Sequence, residues 1–463
     1  MNELGTLPAP TLPGYVLYPV AALSLFMIVA VMVRSGSRAA AYVIGTTWLR
    51  YIMQALHTFT YRPMVAGMSA NAVMSIAVFL GGLLVINWRH LALKFLLPFY
   101  ALIALTVASA MANGEFTAGL VQVLTKHGYL IVVILSVFSA LRRAKDGAFM
   151  ESLLWAFVPV LLFQVASVAL GVSKHTETDA NASSYIGGFN HEAVFSVILA
   201  TCLTVTCFTT RLSKTLKYVL IGACVAGIVL ANYRTTLVAI LPLMAAFFGF
   251  STLQRFPARD RPFVVSALIV TVAIALGLAS ILFAERFSDV GVVTSGHVNL
   301  FKPPDQYTVE ESRLVSGRPR IWSGYIYGWM AGDLTEHVIG FGPESWNGVF
   351  PKYAHNTLVN YLYEYGIVGV FVLLYVWFSM LGAALRVRHP HRGVLVGAHL
   401  SFLVLNMSTM PMWMIEGNML YGIICGYTLY LLTQRQSAAA PQGAGASVAP
   451  AATPARVGGA MRR

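Results

Sequence analysis

Residues 357–385 read TLVNYLYEYGIVGVFVLLYVWFSMLGAAL, and before them stands a polar interval, Glu285 to Ala354, closed by His355-Asn356. The apolar run exceeds the roughly 20 residues that cross about 30 Å of hydrocarbon as a helix. The interval carries Ser316-Gly317-Arg318-Pro319-Arg320-Ile321-Trp322. A chain that spends nearly everything on such runs and keeps one long polar stretch has its chemistry where that stretch meets water.

Working outward, comparable runs lie near 15–33, 39–58, 68–86, 91–112, 117–141, 148–171, 191–210, 216–232, 234–250, 263–284, 393–409 and 416–433. With 357–385 this makes about thirteen, so the expected fold is all-α: a polytopic transmembrane bundle with one long loop containing short helices. Of 463 residues, 57% are hydrophobic and 11% charged, against roughly 45–50% and 25% in soluble domains. The expected organisation is N-terminal membrane helices over 1–284, the loop over 285–356, C-terminal helices over 357–433 and a tail over 434–463. The tail is Ala, Pro, Gly and Ser from Ser437 and reads as disordered. The second run contains Arg50 and His57 and the fifth Lys126 and His127, which marks both as tilted, short or lining a cavity.

The net charge of +13 sorts by loop. Every second loop is basic: Arg34 and Arg38; Arg89; Arg142, Arg143 and Lys145; Arg211, Lys214 and Lys217; Arg255, Arg259 and Arg261; Arg386, Arg388 and Arg392. The intervening short loops hold only Arg62, Lys174 and Arg234. The positive-inside rule makes the first set cytoplasmic, which puts the long interval outside and the tail inside. Basicity here records topology and attraction to membrane lipids, not a nucleic-acid partner. The four cysteines, Cys202, Cys207, Cys224 and Cys425, lie in apolar runs and read as buried thiols without disulfide or metal roles. Residues 1–14 lack the basic start of a cleavable signal peptide.

Four places supply polar groups on the outer side. The first is Tyr185-Ile186-Gly187-Gly188-Phe189-Asn190-His191-Glu192 and the second is Asn232-Tyr233-Arg234. Arg234 stands where two apolar runs meet, as a snorkelling anchor or an anion ligand. The third is the arginine motif, where Pro319 suits a first helical position and sets Arg318 at the positive end of a helix. Trp322, Tyr325 and Trp329 then form one aromatic stripe, on the membrane surface or as a sugar- or lipid-facing wall. The fourth is His355-Asn356, where an imidazole opens a helix with Asn356 and Asn360 as polar neighbours and can accept a proton near neutrality. Gly366 and Gly369 permit close helix packing or a bend further along. Asp305, Glu310, Glu311 and Glu344 are scattered and read as solvated.

"NYRTTL" around Arg234, "SGRPRIW" in the long loop and "HNTLVNYLYEYGIVG" entering the next helix together resemble the O-antigen ligase and polymerase superfamily, integral membrane glycosyltransferases, and most resemble its O-antigen ligases. The resemblance implies transfer of a glycan from undecaprenyl pyrophosphate to an acceptor hydroxyl at the periplasmic face of a bacterial inner membrane, the acceptor being lipid A-core in a ligase. It implies no cofactor: neither nucleotide sugar nor metal. By motif match, His355 is the expected general base, and Arg234 and Arg318 hold the donor pyrophosphate with Arg320 as a supporting charge. Asn356, Trp322, His191 and Asn190 are supporting positions. Family members often carry His-Pro-Asn where this chain has Asn190-His191-Glu192.

The chemistry agrees with that expectation. Breaking a sugar C1 to phosphate bond requires charge stabilisation on the leaving pyrophosphate, and guanidiniums are permanently charged bidentate donors. Within the superfamily, a polymerase would extend a lipid-linked repeat with the same donor, and a protein-modifying type would differ by a longer C-terminal region. A lipid-linked glycan transporter would instead spread ionisable residues through the membrane interior.

Overall fold

The computed structural model describes residues 10–65, 68–143, 148–175, 183–253, 256–257, 259–267, 270 and 302–439. The expected helix at 263–284 lies largely outside the described residues, as do residues 285–301 of the interval and the tail beyond 439. Each of the other expected runs is helical: Gly14–Arg34, Arg38–Ala55, Ala70–Val85, Leu97–Ala112, Ala118–Arg143, Glu192–Phe208, Lys214–Leu230, Thr357–Arg386, Arg392–Asn406 and Ile415–Ala439. The run at 148–171 is Phe149–Leu153 and Val158–Ala169 joined by a tighter turn, and that at 234–250 is Arg234–Ala239 followed by Leu241–Leu253. The last helix continues to Ala439, into the region expected to be disordered. Two short antiparallel ladders, Pro63–Val65 with Met68–Ser69 and Lys174–His175 with Ser183–Ser184, decorate loops. The protein is a polytopic helical bundle.

Among the described residues, five helical stretches are long and apolar enough to cross a membrane: Gly14–Arg34, Lys94–Ala112, Ala118–Arg143, Phe149–Ala169 and Thr357–Arg386. Their burial differs. Gly14–Arg34 leaves Tyr15, Leu23, Phe26 and Val33 exposed, as a helix whose outer face meets lipid does. Ala118–Arg143 is buried without interruption from Tyr129 to Leu141 and forms the axis of the bundle. The last helix lies along it through Gly422 and Gly426, where a Cβ would stand 2.5 Å from Val133 and 2.7 Å from the Ile134 carbonyl. Such small residues four apart let two backbones approach where lipid gives no hydrophobic drive for association.

Two of the charges inside the expected spans, Arg50 and Lys126, are paired. Arg50 Nη2 meets Glu416 Oε1 at 3.1 Å and Lys126 Nζ meets Glu344 Oε1 at 3.0 Å, with all four side chains nearly inaccessible. Neither charge marks a break in its helix. Partnering removes most of the cost of a charge away from water, so the runs carry them.

The helix ends fall into two groups. At one end Glu151 accepts the amides of Thr210 and Arg211, and His391 Nδ1 meets the Tyr427 hydroxyl at 2.8 Å. At the other, Ser109, Asn113 and Lys126 all reach the long interval. The interval caps one end of the bundle and packs on itself as well, with Tyr325, Ala354, Tyr363 and Met410 as the centre of a second core.

Its main anchor is a break in Thr357–Arg386. Gly366 takes φ 62°, ψ −159° there, the bend among the two alternatives its glycine allowed, and frees carbonyls of the preceding turn. The amides of Phe341 and Gly342 occupy the Tyr363 and Glu364 carbonyls at 3.0 and 2.9 Å. A Cβ on Gly366 would lie 2.5 Å from Val338 backbone atoms. The Gly366→Ala variant therefore combines a glycine-only conformation with a backbone clash. It is expected to lose about 3 kcal/mol or more, read as a fall in Tm and as faster proteolysis within 302–356.

Candidate functional site

Asn356 begins the long helix as its cap, with Oδ1 accepting the amides of Leu358 and Val359 at 2.9 and 3.2 Å. That use of its side chain makes Asn356 a fixing point for the residue before it. His355 sits outside the helix at φ 54°, a left-handed conformation uncommon for a non-glycine residue. Two hydrogen bonds hold the approach: Trp322 Nε1 donates to the Ala354 carbonyl at 2.8 Å and the Tyr325 hydroxyl to the Lys352 carbonyl at 3.1 Å. The His355 ring lies on Tyr353 with centroids 3.9 Å apart, and Tyr353 stacks in turn on Trp413. Its Nδ1 is buried and has no hydrogen-bond partner among the described residues.

Burial pushes the His355 pKa down to about 3, with the charges of Arg318 and Lys352 and the neighbouring His191 ring adding to the effect. The ring is neutral at neutral pH. Those three neighbours also locate the site, because they come from the arginine motif, the stretch before Glu192–Phe208 and the loop just ahead of His355.

Arg318 is the first residue of the helix Arg318–Met330, with Pro319 second and Gly317 as the cap at φ 75°. Val315 and Ser316 before it also have positive φ. The chain thus turns sharply to aim the helix start inward. Arg318 Nη2 donates to Thr235 Oγ1 at 3.1 Å, and its guanidinium hydrogen-bonds the Tyr233 hydroxyl. Tyr233 also lies 3.4 Å from the Thr409 hydroxyl. Burial raises the Tyr233 pKa, so this hydroxyl keeps its proton. Arg318 is therefore held against the turn that carries Arg234, and Arg234 projects exposed from the first position of its own helix.

His191 caps Glu192–Phe208, its Nδ1 accepting the Ala193 amide at 3.0 Å. Glu192 Oε2 is 3.7 Å from that nitrogen and is paired with Lys174 at 3.2 Å. Asn190 contributes its backbone carbonyl to Lys174. The stretch from the first polar place is thus brought to the cluster, with His191 facing His355 electrostatically and holding a helix end.

Three expectations need correction. Arg320 does not join Arg318: it is exposed, and its Nη1 reaches Ser312 Oγ at 3.5 Å. Residues two apart on a helix point to different sides, and a helix starting at Arg318 sends Arg320 away. The stripe of Trp322, Tyr325 and Trp329 packs into the interval's own core through Tyr325, with the two tryptophans partly exposed. Tyr325 is 1% exposed and stacks on Phe350 at 4.1 Å, and the other two spend their indole N–H groups on backbone carbonyls.

Glu344 is not a solvated loop residue. Besides Lys126 it accepts the indole N–H groups of Trp413 at 2.8 Å and Trp346 at 3.1 Å, and its amide donates to Glu364 Oε1. Since Trp413 stacks on Tyr353, this buried pair supports His355 from below, and Lys126 Nζ lies 4.5 Å from the Trp413 ring centre. The sequence held one signal for it. A lysine inside an apolar run requires a counter-charge, and the long interval supplies carboxylates on that side.

Among the described residues, no group of three or more His, Cys, Asp or Glu side chains is placed to hold a metal ion. The assembled chemistry is a neutral imidazole beside a guanidinium aimed across a turn bearing a second one. A helical membrane bundle with such a cationic cluster at one capped end defines a class, an integral membrane protein whose polar side chains gather at one end. Residues 218–374 match the family model described as O-antigen ligase, and this match supports a relation to the O-antigen ligase and polymerase superfamily. The matched third of the chain contains Arg234, Arg318 and His355. None of the curated proteins compared with the chain matches it.

Proposed function

We propose that the protein transfers an O-antigen-type glycan from undecaprenyl pyrophosphate to an acceptor hydroxyl of lipid A-core, at the periplasmic face of a bacterial inner membrane. One observation carries the reading above the others: Arg318 spans from the start of its helix to the Arg234 turn while lying next to a neutral His355. The loop charges support the side, because the capped end is the one whose short loops are poor in Lys and Arg.

In the proposed reaction the acceptor oxygen attacks C1 of the donor sugar from the face opposite the pyrophosphate. The C1 to phosphate-oxygen bond breaks, its electron pair leaves with the pyrophosphate, and the anomeric centre inverts. The acceptor proton goes to His355. Arg318 and Arg234 stabilise the departing charge by donating to phosphate oxygens. Arg318 also couples the two halves of the step. Without donor its charge disfavours protonated His355, whereas a bound pyrophosphate offsets that charge and makes the imidazole a stronger base when it is needed.

A polymerase using the same donor is the second reading, and the acceptor separates the two. A lipopolysaccharide gel of a deletion strain tests both. Loss of all O-chains from core, with lipid-linked chains accumulating, is expected for the ligase; core bearing a single repeat would assign the polymerase, and an unchanged ladder would reject the whole superfamily assignment of activity.

A further inference from the structure

The end of the bundle opposite His355 holds a cavity of about 730 Å³ between the stretches Lys94–Ala112, Thr357–Arg386 and Ile415–Ala439. Phe95, Tyr375, Met380, Leu429 and Leu432 line its body, and Lys94 and Arg386 stand at its mouth. Both cations are exposed, and among the described residues neither charged head group meets an acid or a hydrogen-bond acceptor. Arg386, in the last turn of its helix, suits the negative end of the helix dipole. Lys94 does not: it lies just ahead of Leu97–Ala112, where the dipole is already positive. Two cations at one mouth with no acid between them among the described residues, one of them against its local dipole, suit an anion between them.

The walls determine what carries that anion. Tyr375 and Arg386 lie eleven positions apart on one helix, roughly 16 Å along its axis. That is close to half of the roughly 30 Å of hydrocarbon in a bilayer, the depth of one leaflet. Tyr375 is half exposed, so the cavity opens sideways where acyl chains would stand. A soluble anion would have no use for such a wall.

We infer that this cavity binds an anionic phospholipid of the leaflet opposite the candidate active site, its phosphate between Lys94 and Arg386 and one acyl chain along Tyr375 and Met380. The site is independent of the proposed transfer reaction. It gives the bundle a lipid-dependent contact that ties three helices together at the end without the capping interval.

Native mass spectrometry of the purified, delipidated protein tests this, with phosphatidylglycerol or phosphatidylcholine added back. Wild type is expected to retain one phosphatidylglycerol in preference to phosphatidylcholine. The double variant Lys94→Gln/Arg386→Gln is expected to weaken that binding about thirtyfold, at about one power of five per cation near a membrane surface. Arg388→Gln, at the same end but outside the cavity, controls for general surface charge and should leave retention unchanged. Ser379→Phe fills the cavity while keeping both cations and should also displace the lipid. Equal retention of the two lipids by wild type, or undiminished retention by the double variant, would overturn the inference. So would full displacement of phosphatidylglycerol by millimolar inorganic phosphate, which would make the ligand a soluble anion.

Discussion

Replacing His355 with alanine is expected to abolish visible O-chain capping while the protein remains folded and in the membrane. A positioned general base contributes about 10²–10⁴-fold, and the neighbouring basic side chains do not take its place. Arg318 and Arg234 cannot accept a proton, and His191 Nδ1 is committed to the Ala193 amide. The fold survives because the backbone before His355 is held by Trp322 and Tyr325, not by the imidazole. His355→Asn is the sharper partner variant, since asparagine tolerates the left-handed conformation but does not act as a base. Equal loss in both variants with unchanged Tm marks a chemical role; wild-type capping in either would remove His355 from the reaction.

The same residue predicts a pH profile. Its folded pKa is lowered to about 3 from 6.5, so the imidazole stays neutral through the mildly acidic range. The acid limb of kcat/KM, which reports the free protein, should fall well below pH 6.5. The sign for stability is the same: between about 3 and 6.5 the unfolded chain binds a proton here that the folded chain does not. This group's contribution to stability is therefore lost as pH falls below 6.5.

The second large effect is expected from Arg318→Lys. A lysine retains the charge but offers a single compact donor, whereas Arg318 already spends one nitrogen on Thr235 and needs others for phosphate oxygens. Loss of one transition-state donor costs about 10²–10³ in rate, so transfer should drop by at least about a hundredfold. Arg320→Ala is the contrasting variant. Its guanidinium faces Ser312 in solvent, and its loss should change activity by less than about fivefold. If Arg318→Lys were near normal and Arg320→Ala severe, the orientation of the helix start in the substrate-bound protein would differ from that described.

Much of this was legible in the residues because it is local. An apolar run of membrane length reports a helix wherever the chain later packs it, and Gly366 announced close packing or a bend through its own missing side chain. Arg234, Arg318 and His355 stood out because each is a polar group at the border of an apolar run. The misread positions share a different property. Glu344 could not be told from Glu310 by anything nearby, because its partner Lys126 lies 218 residues away in the chain. Arg320 and Arg318 look equivalent until the first residue of the helix is known, and that start is set by the positive-φ turn at Val315, Ser316 and Gly317. The aromatic stripe was visible as a stripe, but which surface it met depended on Phe350 and Tyr363 arriving opposite it.

The sequence by itself determined that the chain is a polytopic helical bundle, and it displayed the residue types that could handle an anionic leaving group. The bilayer imposes length and polarity on each segment separately, so that information is written segment by segment. Only the tertiary structure decided that Arg318 reaches the Arg234 turn, that Trp322 and Tyr325 lock the chain ahead of His355, and that a buried Lys126–Glu344 pair underlies the site. These are contacts between distant segments, and a side chain's partner there is fixed by how the helices close around it.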